Sequence, residues 1–384
     1  MVAVQTNTIV PFQPLRIGNL VIWPPVVLAP MAGVTDVAFR HLVSEFGKGL
    51  LVSEMVSASL LTQGNQATRN MVQFFPGEAI RSVQLYGTKP EDVYSAIVIL
   101  KKEFGIHHLD LNFGCPMPKV TRKGGGAALP LHATLFPAIL DAAVTAAGDI
   151  PVTIKIRMGL DDDWLYGQEV AELAVQKKIA AITLHARTAA QFYGGTASWK
   201  AIRELVEQFP NLTVVGNGDI WTAQHAIQML IQTGCQGVGI GRAILGRPFL
   251  FRHLKQVFSG QLEPRYPDLK SVAAIARRHM ELMVHYFPEK LAIRRFRKHL
   301  KWYFQGFSPA VQRQVHHLLQ LEEAIAVERG LQAMKSMEPY PMVEIWSPRG
   351  RSRQQSRVVL PTEYRQRLAS GDFVVQEVTV AGGG

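Results

Sequence analysis

A chain of 384 residues with 47% hydrophobic and 18% charged side chains is long enough to bury one large core and a smaller second one. Its two cysteines, Cys115 and Cys235, are too few for a disulfide framework or a cysteine metal cluster, so both are expected as reduced thiols and no metal site is expected. The formal charge of +11 splits into +4 over residues 1–260 and +7 over 261–384; on charge alone solubility is the simpler reading, with a polyanionic partner as the functional one.

The opening stretch MVAVQTNTIVPFQPLRIGNL lacks a basic segment followed by an apolar one, and no later run approaches the ~20 apolar residues that span a bilayer. A cytoplasmic protein without membrane contact is expected, and a monomer. From residue 26 to about 255, short β-branched runs alternate with helical patterns. The strand candidates are VVLAP (26–30), LLVSE (50–54), RSVQLY (81–86), HHLDLNF (107–113), PVTIKIR (151–157), AAITLHA (180–186), LTVVGN (212–217) and GVGIG (237–241). Eight evenly spaced units without a switch point favour a closed (β/α)8 TIM barrel over an open doubly wound sheet.

After residue 260 the pattern turns purely helical. Val272, Ile275, His279, Met283 and Tyr286 share one stripe, as do Ile293, Phe296, Leu300 and Tyr303. The expected organisation is an α/β barrel over 1–260, a small all-helical domain over 261–334, and a basic, poorly ordered tail over 335–384, where SPRGRSRQQSR sets the composition.

In a barrel of this kind chemistry sits at the C-terminal ends of the strands. The exits here carry Pro30, Met31 and Ala32; Gln84; Asn112 and Cys115; Lys155 and Arg157; His185 and Arg187; Asn217, Gly218 and Asp219; and Gly241 with Arg242. The Gly-rich exits of the last two strands suit a phosphate, or serve only as tight turns. Lys155 either reaches solvent at the rim or faces an electron-rich ligand edge, and Gln84 and Asn112 can both donate and accept at a heterocycle. His185 and Arg187 suggest a second phosphate clamp. Neither a Ser-His-Asp arrangement nor a carboxylate pair is legible, which leaves hydrolase chemistry with little support.

A lone cysteine is most often a small buried hydrophobe. Cys115 sits just past a strand end in a Gly/Pro loop, where a mostly protonated thiol can donate a proton. Cys235, before the last strand, keeps the structural reading.

APMAGVTDVAFR, SEMV, QLYG, LNFGCPMPKVTRKGGGAAL, VTIKIRMG, HARTAAQFYGGTASW, NGDI and GRAILGRPFLF, taken in order, resemble the tRNA-dihydrouridine synthases. The similarity extends to the bacterial branch whose helical domain carries a sequence like RKHLKWYFQGF, here Arg297 to Phe307, and it covers residues 20 to about 330. Ala186, Ala189 and Ser198 depart from the Gly, Arg and Asp often found in the sixth motif, while His185, Arg187 and Trp199 are kept.

The resemblance implies an FMN-dependent barrel whose helical domain helps grip tRNA. Pro30, Met31 and Ala32 would back the flavin ring; Gln84, Asn112 and Lys155 would address its polar edge; His185, Asn217, Gly218, Asp219, Gly241 and Arg242 would hold the ring, ribityl and phosphate. NADPH (or NADH) would reduce FMN, hydride would pass from flavin N5 to C6 of an everted uracil, and Cys115 would protonate C5. Contacts to tRNA would come from Lys119, Arg122 and Lys123 in a mobile, glycine-hinged loop, from Arg187, and from a helical stripe of Arg294, Arg297, Lys298 and Lys301. A flavin reductase of free small molecules and a non-catalytic flavin-containing RNA-binding protein are the competing readings.

Overall fold

The β-branched runs are buried along most of their length, and throughout in Val26–Leu28 and Val214–Asn217, and become parallel strands covered on both sides. The computed structural model describes residues 12–262, 265–347, 349–350, 356, 358–361 and 364. A short antiparallel hairpin, β1 (Leu15–Ile17) and β2 (Leu20–Ile22), comes first. Eight strands then follow in chain order: β3 (Val26–Leu28), β4 (Leu50–Ser57), β5 (Ser82–Tyr86), β6 (His108–Phe113), β7 (Val152–Arg157), β8 (Ala181–His185), β9 (Val214–Asn217) and β10 (Gly237–Ile240). They pair in sequence and close, with Gly239 of β10 opposite both Asn217 and Val27. This is the (β/α)8 TIM barrel expected from the eight runs.

The hairpin was not anticipated, because three-residue strands carry too little periodicity to read. It stoppers the N-terminal end of the barrel: Leu15, Ile17 and Ile22 pack with Val27, Leu50, Val52, Ala181 and Val215. Burying each aliphatic side chain contributes roughly 2 kcal/mol. The opposite mouth is left for the site.

Some helices start at side-chain caps that satisfy their first N–H groups. Asp36 accepts from Phe39 N (3.0 Å) and Asp268 from Ser271 N (2.8 Å). The helical part comprises Leu269–Tyr286, Glu289–Tyr303, Pro309–Leu318 and Ala324–Gln332, and both expected stripes lie on its packed side. Its core also takes in Ala38 and Leu42 of the barrel helix Val37–Phe46, so one apolar seam joins the two parts. At that seam His279 and His299 lie 4.6 Å apart, and the Tyr303 hydroxyl is 3.1 Å from His279 Nδ1.

The stretch from 335 onward departs from the expected unstructured tail as far as it is described. Tyr340, Ile345, Arg349, Val358 and Tyr364 are buried. Arg349 Nη1 donates to the carbonyls of Leu245 (3.3 Å) and Trp302 (3.0 Å). Composition misled here: the sparse apolar residues find prebuilt surfaces to pack on. Residues 365–384 lie outside the described residues.

Candidate active site

At the C-terminal end of the barrel the strand exits enclose a cavity of about 530 Å³, within the size range of small-ligand sites. Pro30, Met31 and Ala32 line one wall beside Met55. The remaining expected ligand-site residues, Gln84, Asn112, Lys155, His185, Asn217, Gly218, Asp219, Gly241 and Arg242, all line it too, as does Cys115.

One wall is organised by a carboxylate that the sequence reading did not single out. Asp110 shares the inward face of β6 with Asn112 and is fixed by Thr153 Oγ1, 2.6 Å from its Oδ1. Gln84 Nε2 donates to Asp110 Oδ2 (2.7 Å), which turns Gln84 Oε1 toward Asn112 Nδ2 (2.9 Å). Asn112 is thereby left with its Oδ1 free to accept from the backbone N–H groups of Gly114 and Cys115, both at 3.1 Å. A buried acceptor thus dictates each amide orientation up to the cysteine. Burial pushes Asp110 up to about 6, against the pull of Thr153, Gln84 and Lys155.

The opposite side is cationic. Lys155, Arg157, Arg187, Arg242 and Lys298 line the cavity, with Asp219 the sole lining carboxylate among the described residues. Lys155 is brought down to about 8, by burial and then Arg157, with Asp110 and Cys115 opposing. Burial, followed by Arg157, Lys155, Arg187 and Arg242, holds the His185 imidazole neutral. Arg157 ties the cysteine loop to the barrel: its Nε donates to Gly114 O (3.0 Å), its Nη1 to Thr188 O and Phe192 O (both 2.8 Å). Arg242 stacks over Tyr193 (4.5 Å) and Trp221 (5.5 Å). So arranged, the cavity suits an anion with an apolar, planar body.

At the last two exits the backbone is bare. A Cβ on Gly241 would project into open cavity, its nearest neighbour Asn217 Nδ2 at 3.9 Å. Asn217 Nδ2 donates to Gly239 O (2.7 Å), which holds the two exits together. Asp219, at φ 53°, spends its oxygens on Arg187 Nη2 (2.8 and 2.9 Å) and Ala197 N (2.7 Å).

A family model described as Dihydrouridine synthase (Dus) matches residues 27–337. The chain belongs to the dihydrouridine synthase family. A probable tRNA-dihydrouridine synthase of Mycobacterium tuberculosis (strain ATCC 25618 / H37Rv) is 43% identical over 364 residues, covering 92% of this chain and 93% of the relative. One from Rickettsia bellii (strain RML369-C) is 35% identical over 293 residues, covering 76% and 89%. Among solved structures, histamine dehydrogenase from Rhizobium sp. 4-9 is similar at TM-score 0.48 and 15% identity, over 71% of this chain and 51% of that one.

For a dihydrouridine synthase the surface cations matter next, and they fall into two sets. Lys119, Arg122, Arg294 and Lys301 are exposed and Lys123 is half-buried. Arg297 is turned inward, its Nη2 donating to Leu321 O (3.3 Å), while Lys298 reaches the cavity and stands over Gly33. Arg187 was expected to touch tRNA, yet it is 2% exposed: the loop after β8 folds over it, and Gly194 O (2.9 Å) and Gly195 O (2.8 Å) accept from it. It lines the cavity together with His185.

The basic loop after Cys115 also differs from expectation. Pro118–Thr121 is a helical turn, Gly126–Leu131 a 3-10 turn, and Ala127, Ala128 and Leu129 are fully buried. Its glycines serve close packing: a side chain at Gly125 would collide with the Tyr86 hydroxyl, and one at Gly126 with the Cys115 carbonyl. Tyr193, Trp221, Trp302 and Gly350 also line the cavity and were not singled out from the sequence. Trp302 had a legible signal, standing one turn beyond Lys298 on the same helix.

Proposed function

We propose that this protein reduces the C5–C6 double bond of uridines in tRNA to 5,6-dihydrouridine. Family membership supports the reaction, and a single observation in the site carries it: the Cys115 loop is held by Asn112 at the rim of a cation-lined cavity. The lining residues fit flavin mononucleotide. Gly241 leaves room for phosphate oxygens, Arg187 keeps a buried Nη1 without a partner among the described residues, and five cations face one carboxylate. When bound and reduced by NADPH or NADH, that flavin supplies a hydride for uracil C6.

In this reading Pro30, Met31 and Ala32 back the ring, Gln84 and Lys155 take its polar edge, and His185, Asn217, Gly218, Gly241 and Arg242 take the tail. Asp219 acts through Arg187 rather than on the ligand. Cys115 gives its thiol proton to C5 as the double bond's electron pair shifts, and solvent returns a proton to sulfur afterwards. The base must leave the tRNA stack to enter, and Lys119, Arg122, Arg294 and Lys301 hold the backbone outside.

The test is to incubate the purified holoprotein with unmodified tRNA transcripts and NADPH and to quantify dihydrouridine in the nuclease digest by mass spectrometry. Dihydrouridine at defined positions is expected. Its absence, with free pyrimidines or enoates reduced instead, would replace the proposal with a small-molecule reductase.

A further inference from the structure

The described residues between 345 and 364 form an arm that lies past the stretch matched by the family model. It leaves the helical part at Ile345, whose carbonyl accepts from Arg247 Nη1 (3.0 Å), and at Gly350 it lines the cavity. Ser356 N then donates to Ala190 O (2.9 Å), in the loop after β8. Finally the arm reaches the cysteine loop: Thr121 Oγ1 donates to Val359 O (2.6 Å), and the Tyr364 hydroxyl donates to Ala128 O (2.7 Å).

The second contact stands one peptide away from the cysteine's own anchor. Ala127 N donates to Cys115 O (3.1 Å), and the Ala127 and Ala128 carbonyls each accept from a buried tyrosine, Tyr166 (3.0 Å) from the barrel and Tyr364 from the arm. The turn that fixes Cys115 is therefore gripped from both sides, and Tyr364, 2% exposed, brings its ring as well as its hydroxyl. A loop carrying three consecutive glycines has much conformational freedom to lose, so external anchors decide its shape.

We infer that the arm is a positioning element for the reaction: Tyr364 and the Val359 carbonyl clamp the cysteine loop so that the thiol is presented to the cavity. The inference rests on the reading of Cys115 as proton donor, and it adds a part of the chain past the stretch matched by the family model.

The experiment uses the full-length holoprotein carrying Thr121→Val with Tyr364→Phe, which removes two hydroxyls and leaves the side-chain bulk. Alkylation of Cys115 by iodoacetamide is followed by peptide mass spectrometry, with buried Cys235 as the internal control, and tRNA kinetics are measured in parallel. Loss of two hydrogen bonds should raise the Cys115 alkylation rate about fivefold and lower kcat about fivefold, with KM for tRNA within about twofold. Thr121→Ser, which keeps its hydroxyl, should behave as the native chain. The inference is overturned if either the alkylation rate or kcat stays within about twofold of native, or if Cys235 becomes reactive in step, since that is general loosening. Should the native chain reduce no tRNA, the catalytic reading of Cys115 fails, and the alkylation comparison alone decides whether the arm clamps the loop.

Discussion

Cys115 owes its place to neighbours that hold the backbone on either side of it. Asn112 gathers its backbone N–H, Ala127 its carbonyl, and Arg157 the carbonyl of Gly114 beside it. With the loop so fixed, Cys115→Ala removes only the proton donor, and single-turnover reduction of tRNA is expected to slow by about 10²-fold with the flavin spectrum unchanged. Lys155 offers a pH test. At about 8 it loses charge as pH rises through that value, whereas a bound anion holds the proton more tightly. Flavin mononucleotide affinity, titrated by fluorescence, should be flat below pH 8 and weaken above it. A Lys155→Met variant should bind weakly at every pH and lose that dependence.

At the scale of elements, the helix Glu289–Tyr303 divides its cations between two tasks. Lys298 points into the cavity while Arg294 and Lys301 stay in solvent. Arg294→Ala with Lys301→Ala should raise KM for tRNA, leave kcat alone, and reduce the slope of log affinity against log salt by roughly 1 for each cation removed. The eight barrel strands were legible because most are β-branched runs bounded by turn residues, and their exits led to fourteen cavity residues and to Cys115. Less was legible wherever tertiary contact outweighs local pattern. Arg187, expected both in a phosphate clamp and on tRNA, is covered by the loop after β8, and Arg297 reads as a surface cation until Leu321 takes its guanidinium. Asp110 lay hidden as one polar residue in a strand whose neighbours Gln84 and Thr153 are distant in sequence. The triple glycine suggested a hinge, but a missing Cβ can equally mark close packing, as it does against Tyr86.

For the whole molecule, buried histidines set the acid limit. Burial brings His108 and His279 down to about 3 and His253 to about 4, and holds His185 and His299 well below the ordinary value. The unfolded chain takes up these protons below about pH 6.5 and the folded chain does not, so stability is full above that pH and falls beneath it. Each such histidine costs roughly 1.4 kcal/mol by pH 5.5. Asp36, pushed up to about 7, and Asp110 oppose this by holding protons in the folded state, but the histidines outnumber them. Urea denaturation should therefore show a lower unfolding free energy at pH 5.5 than at 7.5, and His299→Phe should reduce the difference by one histidine's share.

The five cations around one cavity have a consequence that reaches past binding. Like charges gathered in a shielded space repel, so a molecule waiting for its anion opens more readily than one that holds it. Proteases act on opened chains. Limited proteolysis of the purified protein is therefore expected to slow as that anion is added.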